Sequence, residues 1–192
     1  MTEKTQLQEP LYYTTVPSTF GTLGVVWRET VEGLKIRRLL LPGGGAPVDE
    51  ALRAAYAGIV PQSSPGVREL ADRIQSYLKG EAVDFRLSLV DLGECSGFQR
   101  RVLLAEYGIP RGWVSTYGRI AMRLGVPSAS RAVGTALARN PFPILIPCHR
   151  TIRSNGDLGG FGGGLNMKRA LLELEGVEFS ATGKVATSRF YY

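Results

Sequence analysis

The sequence predicts an α+β protein: a small α+β unit over residues 1–90, then a largely helical unit with a helix-turn-helix over residues 91–192. Three observations carry this expectation. Apolar and β-branched runs alternate with turn residues up to Leu41. From Gly97 onward apolar residues recur at helical spacing instead. Charge is also uneven: residues 1–90 hold ten basic and ten acidic side chains, whereas residues 91–192 hold thirteen and seven, so the whole net charge of +6 lies in the second part.

Taken in order, the first ten residues read as a frayed polar tail. Leu11 to Val16, Gly21 to Trp27 and Leu34 to Leu41 read as strands, joined as a hairpin or meander through a Glu32-Gly33 turn. Gly43 to Pro47 breaks the pattern before a helical stretch from Val48 to Tyr56. Ser64-Pro65-Gly66 opens a second helix with a capping hydroxyl and a first-turn proline; Val67, Leu70, Ala71, Ile74, Tyr77 and Leu78 follow at helical spacing, and Gly80 stops it. This part contains no constellation of chemistry, and a scaffold or docking role is expected.

In the second part, Phe98, Val102 and Ala105 share one face of a helix, and Pro110 to Trp113 forms a turn. Thr116 to Leu124 makes a short helix with Ile120, Ala121 and Leu124 inward. After the break at Gly125-Val126-Pro127, Ser128 is expected to cap a third helix whose Ala132, Val133, Ala136 and Leu137 share a face. Two short helices joined by a glycine-containing turn outline a helix-turn-helix, although ordinary helical hairpins share this shape. The small residues around Gly134 suit close approach to a nucleic-acid groove, or equally tight packing on a neighbouring helix.

At 192 residues and 44% hydrophobic, the chain is long enough for one large domain or two small ones. It holds no run of eighteen apolar residues and no basic-then-apolar leader, so a soluble cytoplasmic protein is expected. Cys95, Cys148 and His149 cannot assemble a four-ligand zinc cage, so neither a metal nor another cofactor is expected. Nine arginines between Arg100 and Arg153 suit a phosphate-backbone binder, with a solvated basic face as the alternative.

The chemical centre follows Asn140-Pro141-Phe142-Pro143 and the apolar Ile144-Leu145-Ile146. There Pro147-Cys148-His149-Arg150 brings a cysteine next to the only histidine in the chain. A thiol attacks carbon as the thiolate, and neighbours such as His149 and Arg150 are expected to lower its pKa. The loop from Ser154 to Gly164 is rich enough in glycine to fold over a planar base, and it lacks the ending of a phosphate-binding loop. Asn166 is expected to cap a last helix that delivers Glu175 just before Gly176.

Val114-Ser115-Thr116-Tyr117-Gly118-Arg119-Ile120-Ala121, Arg131-Ala132-Val133-Gly134, Asn140-Pro141, Pro147-Cys148-His149-Arg150 and the glycine loop through Glu175-Gly176 together resemble the O6-alkylguanine-DNA alkyltransferases, in the right order from about Phe98 to Gly176. Tyr77-Leu78-Lys79-Gly80 before Asp84-Phe85 is weakly similar to the N-terminal domain of that family. The resemblance implies a ribonuclease H-like first domain and a winged-helix-like second one, acting as a monomer on double-stranded DNA that contains O6-alkylguanine, with no membrane partner. It implies that Thr116, Tyr117, Ser128, Arg131, Ala132 and Gly134 meet DNA, with Arg131 filling the space left by a flipped base. It further implies that Cys148 takes the alkyl group irreversibly, activated through a water by His149 and Glu175, with Tyr117 assisting the departing guanine and Asn140 bracing the turn. Pro143, Arg150, Thr151, Phe161, Gly162 and Gly163 would form the base pocket.

Phe161 stands where many relatives have Tyr, and Thr151 where Val is usual. Cys95 has no assigned role. Two other readings remain. A non-catalytic damage sensor of the alkyltransferase-like type lacks the cysteine that Cys148 supplies here; a Cys-His hydrolase would turn over many times rather than once.

Overall fold

The computed structural model describes residues 10–43 and 45–192 and has a mixed α+β architecture. Residues 1–9 and Gly44 lie outside the described residues, and with them most of the expected tail and one position of the glycine-rich break. Three strands, β1 (Tyr12–Val16), β2 (Leu23–Thr30) and β3 (Gly33–Leu40), form an antiparallel meander in which Tyr12 faces Trp27 and Val16 faces Leu23. Gly33 has φ +99°, a left-handed conformation that a side chain resists, and it turns the chain directly into β3.

Helix α1 (Val48–Ala55) follows, then the two-residue β4 (Val60–Pro61), which adds parallel to β1 to give the order β3-β2-β1-β4. Helix α2 (Pro65–Leu78) starts as its sequence dictates. Ser64 accepts from the Val67 amide, Pro65 occupies the first turn, and Gly80 turns left-handed just past the end. Its buried face carries Val67, Leu70, Ile74, Tyr77 and Leu78.

The second part holds α3 (Gly97–Tyr107), β5 (Ser115–Thr116), α4 (Tyr117–Arg123), α5 (Ser130–Ala138), β6 (Thr151–Ile152) and α6 (Gly164–Leu174). Ser96 and Thr116 cap α3 and α4 by accepting from the Gln99 and Arg119 amides. Parallel pairing of β5 with β6 ties the start of α4 to the chain just after Cys148. One apolar core runs from Val16, Trp27 and Ile74 through Val102 and Ile120 to Ile146 and Leu171, so sheet and helices share their burial. A backbone bond from the Leu39 amide to the Pro141 carbonyl (2.8 Å) joins β3 to the segment leading into Cys148.

Three local expectations are corrected. Ser128 does not cap α5: Pro127 starts a single 3-10 turn, Pro127–Ala129, that absorbs Ser128 and leaves it exposed, and α5 begins without a side-chain cap. Asn166 lies inside α6, which starts two residues earlier, at Gly164. Ala132 is exposed, so the inward face of α5 is Val133, Ala136 and Leu137. Beyond α6, the segment to Tyr192 lies on the helical part: the Val114 amide donates to Arg189, the Tyr191 amide donates to Val114, and the Tyr192 hydroxyl donates to the Ala105 carbonyl.

Candidate active site

Cys148 opens a 3-10 turn, Cys148–Arg150, at the end of a tightly held approach. The Asn140 side chain accepts from the Phe142 amide at 2.9 Å and donates to the Ile146 carbonyl at 3.0 Å, fixing both ends of the loop between them. Ile144 within that loop has φ +72°, a conformation that a β-branched residue adopts only under constraint from its surroundings. Its side chain is buried, and burial among apolar neighbours offsets the strain.

The thiol lies at a cavity of about 350 Å³, lined by Tyr117, Gly134, Leu137, Ala138, Cys148, Gly160, Phe161 and Gly162, within the range of small-ligand sites. The wall has a steric logic at Gly159. Its φ is +69°, and a Cβ there would come within 2.6 Å of the Tyr117 hydroxyl, so only glycine lets the loop backbone lie against that ring. A larger cleft of about 610 Å³ between the sheet and α1 is lined by neither cysteine nor histidine.

Burial pushes the Cys148 thiol up to about 11, only partly countered by the Asn140 amide and the Lys168 cation, so the resting group is a neutral thiol. The expected lowering by His149 and Arg150 is therefore corrected. Both side chains turn away, to Glu175. Its Oε1 accepts from the Tyr77 hydroxyl (2.7 Å), from His149 Nε2 (3.0 Å) and from Arg150 Nη2 (2.7 Å), and its Oε2 accepts from Arg150 Nε (2.8 Å). Burial works against this carboxylate, but His149 and Arg150 together hold it below the usual range, so it is ionised and accepts only. Burial also lowers the His149 pKa, leaving a neutral ring. With the Nε2 proton directed at Glu175, the lone pair is on Nδ1, a buried atom with no hydrogen-bond partner. The arrangement is a neutral thiol beside a histidine whose free nitrogen can take a proton and whose other nitrogen is anchored to a carboxylate.

The DNA-binding domain model of 6-O-methylguanine DNA methyltransferase matches residues 97–177. A methylated-DNA–protein-cysteine methyltransferase of Methanothermobacter thermautotrophicus is 50% identical over 117 residues, 60% of this chain and 65% of the relative, just under two thirds of its length. That of Mycobacterium leprae is 41% identical over 143 residues, 71% of this chain and 85% of the relative. The crystal structure of Mycobacterium tuberculosis OGT in complex with DNA superposes with a TM-score of 0.71 at 36% identity, over 85% of this chain and 92% of that one. The chain belongs to the methylated-DNA–protein-cysteine methyltransferase family.

The structure brings together some of the residues that the family resemblance singles out and separates others. Cys148, Tyr117, Gly134, Phe161 and Gly162 line one cavity, with Asn140, His149 and Glu175 behind it. Arg131 and Ala132 are exposed on α5, and Thr116 is buried as the cap of α4. Pro143, Arg150, Thr151 and Gly163 do not line the cavity. Pro143 is buried in the loop that Asn140 braces, and the Arg150 side chain spans to Glu175 and the Ile109 carbonyl. Thr151 directs its hydroxyl to Glu106 (2.6 Å) while its carbonyl accepts from Lys168 (2.7 Å), and Gly163 is turned towards Met167.

Sequence reasoning missed Leu137, Ala138 and Gly160 in the cavity, and Tyr77, Glu106 and Lys168 behind it. Leu137 and Gly160 lie within segments already singled out. Tyr77 reads as an apolar position of α2, and although Tyr77-Leu78-Lys79-Gly80 resembles the family's N-terminal domain, nothing local ties it to the site. Among the described residues no group of three His, Cys, Asp or Glu side chains is placed to hold a metal ion, and no helix is long and apolar enough to cross a membrane.

Proposed function

We propose that the protein repairs DNA by moving the alkyl group of O6-alkylguanine onto the sulfur of its own Cys148, once per molecule. The observation that carries this is the buried Cys148 lining the cavity, next in sequence to a buried His149 whose Nδ1 has no hydrogen-bond partner and whose Nε2 is tied to Glu175. In the reaction the thiol proton passes through a water to His149 Nδ1, the S–C bond forms, and the C–O6 bond breaks with its electron pair going to guanine. Tyr117 donates a hydrogen bond to the guanine as negative charge develops there. The buried Glu175 stabilises the imidazolium, which would otherwise be costly away from water. The product is a thioether, and reversing the transfer would require the Cys148 thiolate to leave the alkyl carbon, so the alkylated sulfur does not return to a thiol.

A base inside the duplex cannot reach a buried thiol, so the damaged nucleotide must leave the stack. The exposed Arg131 on α5 fills the gap it leaves, and Ala132 and Gly134 let α5 approach the minor groove closely. Support for the finer fold assignment, ribonuclease H-like then winged-helix-like, comes from the β3-β2-β1-β4 sheet with its helices and from the α4–turn–α5 unit beside β5 and β6. The boundary between scaffold and reactive domain falls near residue 90, and one copy of the chain holds every group the transfer uses. A reducing cytoplasm suits a protein whose function requires a free thiol.

The test is intact-protein mass spectrometry after mixing with a duplex that carries one O6-methylguanine, with Cys148→Ser as control. One added methyl group per wild-type molecule and none on the variant is expected. Tight lesion binding without added mass would overturn transfer in favour of damage sensing.

A further inference from the structure

Glu106 is a charged residue type on the core face of α3, between Val102 and Ile109, and it is wholly buried. Its Oε2 accepts from the Thr151 hydroxyl at 2.6 Å, and its Oε1 has no hydrogen-bond partner. The nearby cation does not neutralise it directly: Lys168, also wholly buried, donates to the carbonyls of Thr151 (2.7 Å) and Gly160 (3.2 Å). Lys168 thereby ties the strand that follows Cys148 to the loop that walls the cavity. Desolvation raises the Glu106 carboxyl to about 7 and lowers the Lys168 ammonium to about 8.

These two charges act on the thiol with opposite sign: Lys168 favours the Cys148 thiolate and an ionised Glu106 disfavours it. The other titratable or charged groups facing Glu106 are Arg150 from the Cys148 turn, Tyr117 from α4 and Tyr192 from the C-terminal segment. Arg150 is already paired with Glu175, and both phenols stay neutral through the physiological range. Lys168 is left as the cation whose effect on the sulfur Glu106 can cancel.

We propose that Glu106 is a positioning residue of the alkyl transfer, holding the Thr151 segment beside Cys148 and, through its own proton, deciding how strongly Lys168 favours the thiolate. With Glu106 protonated, the Lys168 charge acts unopposed and the sulfur ionises more readily; with Glu106 ionised, that help is offset. The Thr at 151 belongs to the same device, because its hydroxyl stabilises the ionised carboxylate and sets the pH at which the change occurs. The inference rests on Cys148 being the alkyl acceptor.

The test is the single-turnover rate of Cys148 methylation, read by mass, between about pH 6 and pH 7.5, the window in which Glu106 titrates while most of Lys168 keeps its proton. The rate of Glu106→Gln divided by that of wild type is expected to rise from about one at the acid end to as much as about tenfold at the alkaline end, the effect of one unit in thiol ionisation. Thr151→Val removes the bond that favours the carboxylate, so the wild-type inflection should move to higher pH. A ratio independent of pH, the mark of a purely structural role, overturns the proposal, and so does an unmoved inflection in Thr151→Val. If the Gln variant does not fold, the Thr151→Val profile decides alone. Absence of any methyl on wild-type Cys148 removes the acceptor reading and this inference together, whereas a methylated Cys148 with a flat ratio removes only the inference.

Discussion

The hydroxyl of Tyr77, at the end of α2, donates to Glu175 Oε1 at 2.7 Å and lies 3.0 Å from His149 Nε2. A helix from the first part of the chain thus completes the carboxylate that anchors the histidine beside the candidate nucleophile. Burial and the Glu175 charge hold the Tyr77 phenol well above its ordinary pKa, so it remains a donor. Arg111 stacks over the same ring, 5.7 Å from its centroid, and caps the C-terminus of α6 by donating to the Leu174 carbonyl.

Tyr77→Phe keeps the packing and removes one donor from Glu175. Stability is expected to fall by about 1–2 kcal/mol in denaturant titrations, the cost of a buried acceptor losing a bond. The single-turnover methylation rate should fall as well, because Glu175 is then held less firmly beneath His149. An unchanged rate would make Tyr77 a packing residue only.

Gly159→Ala places a Cβ within 2.6 Å of the Tyr117 hydroxyl and at a φ of +69°. A loss of about 1–2 kcal/mol is expected, together with slower transfer, because the ring or the loop must move. Gly160→Ala is the control for stability, since a Cβ there meets nothing within 4 Å. Equal losses of stability at the two positions would contradict this account of the cavity wall.

Arg131→Ala should slow repair of a duplex by about tenfold or more, a fraction of the few kcal/mol needed to unstack a base. Reaction with free O6-benzylguanine should be nearly unaffected, because no base has to be displaced. Equal losses on both substrates would exclude the role given to Arg131.

Stability should depend on pH through Glu106. Its folded pKa, about 7, is raised above the ordinary carboxyl value of 4.5, so its contribution is fully present below the unfolded value and is lost as pH rises through the folded one. Between about pH 5 and pH 8 the loss would approach 3 kcal/mol at most, and Glu106→Gln should remove this component. The His149 contribution runs the other way: with its folded pKa lowered, stability is lost as pH falls below its ordinary value. The difference between wild-type and Gln profiles therefore isolates Glu106, and a difference independent of pH would refute the assignment.

The sequence by itself determined the three strands of the meander, the cap at Ser64, the two short helices before the reactive turn, and the joining of Cys148 to His149. Each depends on neighbours within a few residues, through side-chain periodicity, capping hydroxyls and proline or glycine geometry. Ser128 and Asn166 were misread because a preceding proline and an earlier helix start outweighed their capping tendency. Only the tertiary structure decided that Tyr77 reaches Glu175 across 98 residues of chain, that Thr151 is partnered by Glu106 across 45, and that Arg150 faces Glu175 instead of the cavity. Periodicity tells which face of a helix is buried, but not which residue of another element it meets there. The ionisation of Cys148 belongs to the same class: its adjoining residues suggest a thiolate, but desolvation by the whole fold keeps the thiol neutral until a proton acceptor is used.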